Sequence, residues 1–187
     1  LDDVVRRYAD HSLNVVRNKD NVVLDNTKPE YPIHRFTTHR RTVTETDIVN
    51  FVNLAAMHEP YFIDMEFLKQ HMSGAHQNRF MPGPMIASYA MGLVAPILTT
   101  VIRAVLDGHR VGTFAGMTGF EVQMKAGVFT GDTIQVELEA YIKSKSSRGY
   151  TAIDLRHITK NQHGTIVADL IEHVLFHPPQ EGEASGK

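Results

Sequence analysis

Cysteine is absent from all 187 residues, which removes disulfide bridges, thiolate nucleophiles and cysteine-ligated zinc from the chemistry open to this chain. A large charge of either sign is missing too: the formal net charge is -2, so the composition gives no reason to expect nucleic acid as a partner. No stretch reaches the roughly 18 uninterrupted apolar residues of a membrane span. The first thirty residues carry Asp2, Asp3, Arg6, Arg7 and Asp10 where a secretory signal would have its apolar core. The expectation is a cytoplasmic, unsecreted protein with no membrane partner. No Gly-x-Ser-x-Gly string occurs, which excludes the serine-hydrolase elbow. Gly112, Gly116 and Gly119 lead into a strand pattern rather than a helix, so they form no phosphate loop and read as bulges or close backbone contacts.

What is present is the composition of an ordinary globular domain, with 42% apolar and 21% charged residues. The length suits one core. Residues 1–30 are polar, with isolated apolar pairs at Val4/Val5, Val15/Val16 and Val22/Val23, and read as an N-terminal arm whose first half is a candidate short helix. Asn26, Pro29 and Pro32 then predict irregular, extended chain. Residues 31–177 form the domain, and the acidic, Gly- and Ser-containing stretch 178–187 reads as a flexible tail.

Within the domain, a strand is expected from Phe36 to Thr44, with Thr44 as N-cap of a helix whose first turn holds Glu45 and Asp47. Ile48, Phe51, Val52 and Ala55 make its buried stripe. The segment Met57 to Phe62 reads as a loop, followed by a short helix near Asp64 to His71. From Met85 to Leu106 the chain is apolar on nearly every side, which predicts a helix buried all round, opened by Gly83 and Pro84 and broken at Pro96. The period then changes to two: Phe120, Val122 and Met124 alternate, and past Gly131 and Asp132 so do Ile134, Val136, Leu138, Ala140 and Ile142. Strands around Ile153 and Leu155, and from Ile166 to Phe176, complete the set.

This order predicts an α+β domain in which an antiparallel sheet wraps one long central helix. Its sheet edges need cover, and pairing of two copies supplies it most simply, so a homodimer or a higher even oligomer is expected.

Several strings resemble those of the MaoC-like acyl dehydratases, the hotdog-fold family that includes (R)-specific enoyl-CoA hydratases, over Phe36 to Phe176. Thr42-Val43-Thr44-Glu45-Thr46-Asp47-Ile48 is similar to the family's strand-to-helix step. Phe129-Thr130-Gly131-Asp132-Thr133-Ile134 resembles its Pro-Gly-Asp-Thr hairpin, and Arg79 to Met85 its helix-opening segment, with Gly83 at the family's glycine. The family's catalytic string Gly-Asp-x-Asn-Pro-x-His falls on Ala56-Met57-His58-Glu59-Pro60-Tyr61-Phe62, and its following short helix on Ile63 to Lys69. Met57 stands where the resemblance places the catalytic aspartate and Phe62 where it places the histidine, and neither side chain moves a proton.

The resemblance implies an acyl thioester, enoyl-CoA or 3-hydroxyacyl-CoA in type and linked to CoA or a carrier, as substrate, with CoA entering only as part of it and no separate cofactor. Hydration of such a thioester requires a base, an acid and a donor to the carbonyl oxygen. The candidates are Glu59 as base, His58 or Tyr61 as acid, and a backbone N–H near Gly83 for the oxyanion. Met57, Tyr61, Phe62, Met81, Pro82 and Tyr89 are the candidate substrate-binding residues. Three functions stay open: a hydratase or dehydratase with a non-standard acid/base set, a non-catalytic hotdog subunit or acyl-CoA binding protein that pairs with an active homologue, and a thioesterase. Lys143, Lys145 and Arg148, and separately Arg79 and Lys125, are candidates for the CoA phosphates. No metal is expected: His173 and His177 are four strand residues apart, about 13 Å. His34 and His39 would face opposite sides of an extended strand, and His71 and His76 lie in a polar segment.

Overall fold

The computed structural model describes residues 15–18, 21–24 and 31–180. Val15–Asn18 (β1) and Asn21–Leu24 (β2) pair antiparallel, apart from the main sheet. The helix considered for the first half of the arm lies outside the described residues, as does 181–187 of the tail.

The main sheet is six-stranded and antiparallel. Its order is β3 (His34–Thr37), β6 (Thr133–Lys145), β7 (Thr151–Lys160), β8 (Ile166–Phe176), β5 (Phe114–Met124), with β4 (Arg41–Thr42) also on β6. The single strand expected over Phe36 to Thr44 is therefore two short ones. Thr38 causes the interruption: its hydroxyl, not a carbonyl, accepts from the Val136 N–H at 3.0 Å.

Helix α1 (Glu45–Leu54) begins as expected. Thr44 accepts from the Asp47 N–H while the Asp47 carboxylate accepts from the Thr44 N–H, a reciprocal box that satisfies two otherwise unpaired donors. The segment read as a loop holds a helical turn, α2 (Pro60–Ile63), because Pro60 at the first helical position presets the backbone angle. It runs into α3 (Met65–His71), capped by Asp64, whose carboxylate accepts from Glu66 and Phe67 N–H. A 3-10 turn, Gly74–Gln77, follows.

The long apolar segment is α4 (Gly83–Val94), a 3-10 turn at Ala95–Ile97, and α5 (Leu98–Val105), so the break falls at Pro96 as the sequence predicts. Gly83–Val105 is long and apolar enough, by length and composition, to cross a membrane. Here one of its faces, with Met85, Ile86, Ala90, Leu93, Val101 and Val105, packs against the sheet. The expectation of burial on every side is corrected: Ser88, Gly92, Pro96, Thr99 and Arg103 are exposed. Small and hydroxyl-bearing residues hide this amphipathicity from a hydropathy reading, because they carry no charge.

Register fixes which side chains meet the helix. Leu138, His157, Leu170 and Val122 form one row across β6, β7, β8 and β5, and Val136, Thr159, Ala168 and Met124 the next. Most of these rows is core, yet on β5 the same face is open. The opposite face holds a charged network. Arg156 is 8% exposed and donates to both oxygens of Asp169 at 3.0 and 2.7 Å, with Glu139 3.5 Å away. Asp154, 1% exposed, takes Lys143 at 3.2 Å and the His173 ring at 2.7 Å. Burial, followed by the charge of Asp154, pushes the Tyr141 hydroxyl up to about 12. The glycine reading holds for β5: the register slips between Phe114 and Gly116 and again between Met117 and Gly119. At Gly112 a Cβ would collide with the Pro178 carbonyl, a close backbone contact.

Candidate functional site

The candidate residues gather at one end of the sheet. The Val43 N–H donates to Asp132 O at 2.8 Å, and the Met81 N–H to Val128 O at 2.8 Å. Phe80 bridges to Phe129, and a Cβ built on Gly83 would touch Met124 at 3.5 Å. The start of α1, the entry to α4 and the hairpin before β6 thus share one edge of the molecule. The segment 57–64 joins them through Arg79, whose guanidinium donates to Phe62 O at 2.7 Å and pairs with Glu45 at 3.1 Å. The Phe62 and Phe80 rings meet edge to face, centroids 5.6 Å apart.

Within this arrangement the two positions that resemble the catalytic dyad are turned inward. Met57 and Phe62 are half-buried and pack on the core. His58 and Glu59 are exposed, and Tyr61 is 45% exposed with its ring against Phe67. Glu59 is the N-cap of α2 but makes no capping hydrogen bond, and among the described residues its carboxylate has no ion-pair partner. It is an uncommitted carboxylate. Gly83 is the first residue of α4; Met85 and Ile86 N–H donate back to Pro82 O, whereas the Gly83 N–H has no acceptor among the described residues. A free first amide, with the positive end of the helix dipole behind it, suits a developing oxyanion.

Met81 and Pro82 are buried beside this amide. Tyr89, one helix face further on, lies under the Arg41 guanidinium, 4.7 Å from the ring centre. Burial pushes its hydroxyl up, Arg41 pulls it down, and Asp47 adds to the rise. Asp47 itself is held below the usual carboxylate range: burial acts upward, but hydrogen bonds from the Thr44 backbone, the Thr44 hydroxyl, Tyr89 and Arg41 outweigh it. A carboxyl depressed on folding stabilises the fold above its unfolded value of about 3.9, and that contribution is lost as pH falls through the folded value. Asp47→Asn is expected to flatten the acid limb of stability below about pH 4 while leaving pH dependence near neutrality unchanged, read as urea midpoints across the range.

The two groups of phosphate candidates separate. Lys143, Lys145 and Arg148 lie at the far end of β6, a 13-residue strand of roughly 40 Å. There Lys143 is committed to Asp154, and Lys145 to His109 and Tyr31. That turn is too distant from Gly83 to serve the same ligand. Arg79 is spent on Glu45 and Phe62. Lys125 donates to the neutral amide of Gln123 at 2.6 Å and has no ion-pair partner among the described residues. Among the described residues no three histidine or carboxylate side chains converge on a point that a metal ion would occupy.

Sequence reasoning missed the His157–Glu172 pair, 3.3 Å apart on the helix-facing side of the sheet, with His157 fully buried. Strand alternation in β7 was the available signal, since His157 follows Ile153 and Leu155 on the same face. Arg41 as partner of Tyr89 was missed as well, because the two are 48 residues apart.

No family model matches this chain, and no curated protein sequence does. Solved structures do match. The monoamine oxidase regulatory protein from Archaeoglobus fulgidus is similar at 27% identity over 81% of this chain and 97% of that one, with a TM-score of 0.60. A MaoC-like dehydratase from Rhodospirillum rubrum matches at 19% identity over 79% of this chain and 92% of its own, TM-score 0.55. The C-terminally truncated 3R-hydroxyacyl-ACP dehydratase complex HadBC from Mycobacterium tuberculosis matches at 15% identity over 80% and 98%, TM-score 0.57. The chain therefore has the hotdog fold of the MaoC-like dehydratases.

Proposed function

We propose that this chain is a hydratase or dehydratase of an acyl thioester of the enoyl-CoA or 3-hydroxyacyl-CoA type, working as a homodimer. The observation that carries the reading is that an uncommitted carboxylate, Glu59, and an unpaired amide, Gly83, stand on segments tied together through Arg79 and Phe62. In the hydration direction Glu59 activates water, His58 or Tyr61 delivers the proton to the α-carbon, and the Gly83 N–H holds the thioester oxygen as charge gathers there. Met57, Phe62, Met81 and Pro82 supply apolar wall. The purified protein is tested against crotonyl, mesaconyl and longer enoyl-CoA thioesters, following both hydration and free thiol. Hydration supports the reading, thiol release without hydration makes the protein a thioesterase, and neither reaction overturns both.

A second reading has its own support. Met57 and Phe62 are drawn into the core at the positions of the family's dyad, and the remaining ionisable groups of the loop, His58, Glu59 and Tyr61, are exposed. A non-catalytic subunit that completes an active homologue has these features, and it gives neither reaction alone.

Dimerisation is supported by β5. It ends the sheet, its outer edge is unpaired among the described residues, and Phe114 and Phe120 are 59% and 48% exposed, with Met117, Val122 and Met124 also open. An apolar edge of this kind is covered in stable proteins, and a second copy covers it symmetrically. Val122→Lys is expected to yield a monomer in sedimentation velocity. A lysine variant that sediments with the wild type moves the interface off β5.

A further inference from the structure

The chain after α3 folds back on itself. His71 ends the helix, Met72 and Ser73 leave it in extended conformation, and the 3-10 turn at Gly74–Gln77 returns, with the Gln77 amide donating to Lys69 O at 3.1 Å. The hollow so enclosed, about 300 Å³, is lined by Gln70, His71, Met72, Ser73 and His76. In sequence the two histidines merely share a polar stretch; in the fold they line one cavity.

The state of the donors is fixed by their neighbours. The His71 ring stacks on Phe67, centroids 4.1 Å apart, and its Nδ1 stands 2.9 Å from Phe67 O. A carbonyl only accepts, so Nδ1 of the neutral ring carries the proton and the Nε2 lone pair is left over. An imidazole oriented through its other nitrogen by a backbone carbonyl is the usual form of a metal-ligating histidine. The His76 ring meets Phe80 and Phe129 edge to face, centroids 5.7 and 5.1 Å away, and neither of its nitrogens hydrogen-bonds a described residue. Half-buried Met72 adds a thioether.

The choice of ion follows from the kind of donor. No carboxylate lines the hollow, which disfavours calcium and magnesium, ions that take charged oxygen ligands. Structural zinc takes four protein ligands, more than the two imidazoles and one thioether present. Those three donors are neutral and lean soft, a set that suits a soft monovalent ion of low coordination number. We propose that the hollow binds one copper(I) ion through His71, His76 and Met72. The site is independent of the thioester chemistry above. Loading ties the end of α3 to the chain that enters α4, because His76 packs on Phe80 and Phe80 bridges to Phe129.

The test needs no turnover. Copper(I), kept reduced by ascorbate under argon, is partitioned between the full chain and a chromophoric copper(I) chelator. The wild type is expected to withdraw one equivalent, and His71→Ala and His76→Ala each to weaken that site by about tenfold or more, with a smaller loss for Met72→Leu. Both histidines are exposed, and thermal unfolding of the metal-free variants at the wild-type temperature certifies the fold. In the wild type itself, amide exchange over 70–78 is expected to slow on loading, a readout that needs no variant. Equal copper(I) affinity in the wild type and both histidine variants overturns the proposal, since the ion then sits on other side chains, and so does exchange over 70–78 that copper(I) leaves unchanged. Zinc(II) that displaces copper(I) at equal concentration overturns the choice of ion.

Discussion

Arg156→Ala is expected to lower the unfolding free energy by about 3–5 kcal/mol, read as a shift of the urea midpoint at unchanged slope. The guanidinium makes a two-pronged contact with Asp169 and a further one with Glu139, and both Arg156 and Asp169 are below a tenth exposed. Removing the cation leaves two carboxylates facing each other across a poorly hydrated surface, so most of the loss comes from the stranded charge. The double replacement Arg156→Met with Asp169→Leu is then expected to recover most of it, since an apolar pair of similar volume carries no desolvation cost. A loss below about 1 kcal/mol in the alanine variant would show that water screens the pair as it does an exposed one.

Glu59→Gln is expected to reduce enoyl-thioester hydration by about two orders of magnitude or more, the typical contribution of a positioned general base, with little change in KM. The amide keeps the shape of the carboxylate and cannot take a proton from water. Because Glu59 is exposed and makes no capping bond, stability should be indistinguishable from that of the parent, so a fall in turnover reports on chemistry. Near-normal turnover removes Glu59 as the base. The buried His157–Glu172 pair would then be the other carboxylate and imidazole to test on the helix-facing side.

Legibility in the sequence followed locality. Thr44 announced its N-cap because the bond it accepts spans three residues, and Pro96 announced its break because a proline lacks the amide that a helix needs there. Alternation gave the buried face of β6, since Ile134, Val136, Leu138, Ala140 and Ile142 are all buried, though the strand runs on to Lys145. What depended on distant partners was hidden. Arg156 and Asp169 are 13 residues apart on neighbouring strands, and a single-sequence reading places both at the surface. The outer face of α4 and α5 was misjudged because Gly, Ser and Thr do not declare a side. At the site, the string brought 57–62 beside the entry to α4, tied to it through Arg79 and Phe62, and marked Met57 and Phe62 as groups that move no proton. The dispersal of the cations was beyond it: Lys143 and Lys125 look equivalent in sequence, and only the strand directions send them to opposite ends.

The two slips in β5 have a further consequence. Both fall in its first half, so unbroken pairing with β8 runs only from Gly119 to Met124. Beyond that point the strand kinks, and its outward amides and carbonyls leave the straight line that another extended chain would have to follow. A sticky rim is thereby kept short, enough for one matched neighbour to dock along it and too brief to template an endless fibril.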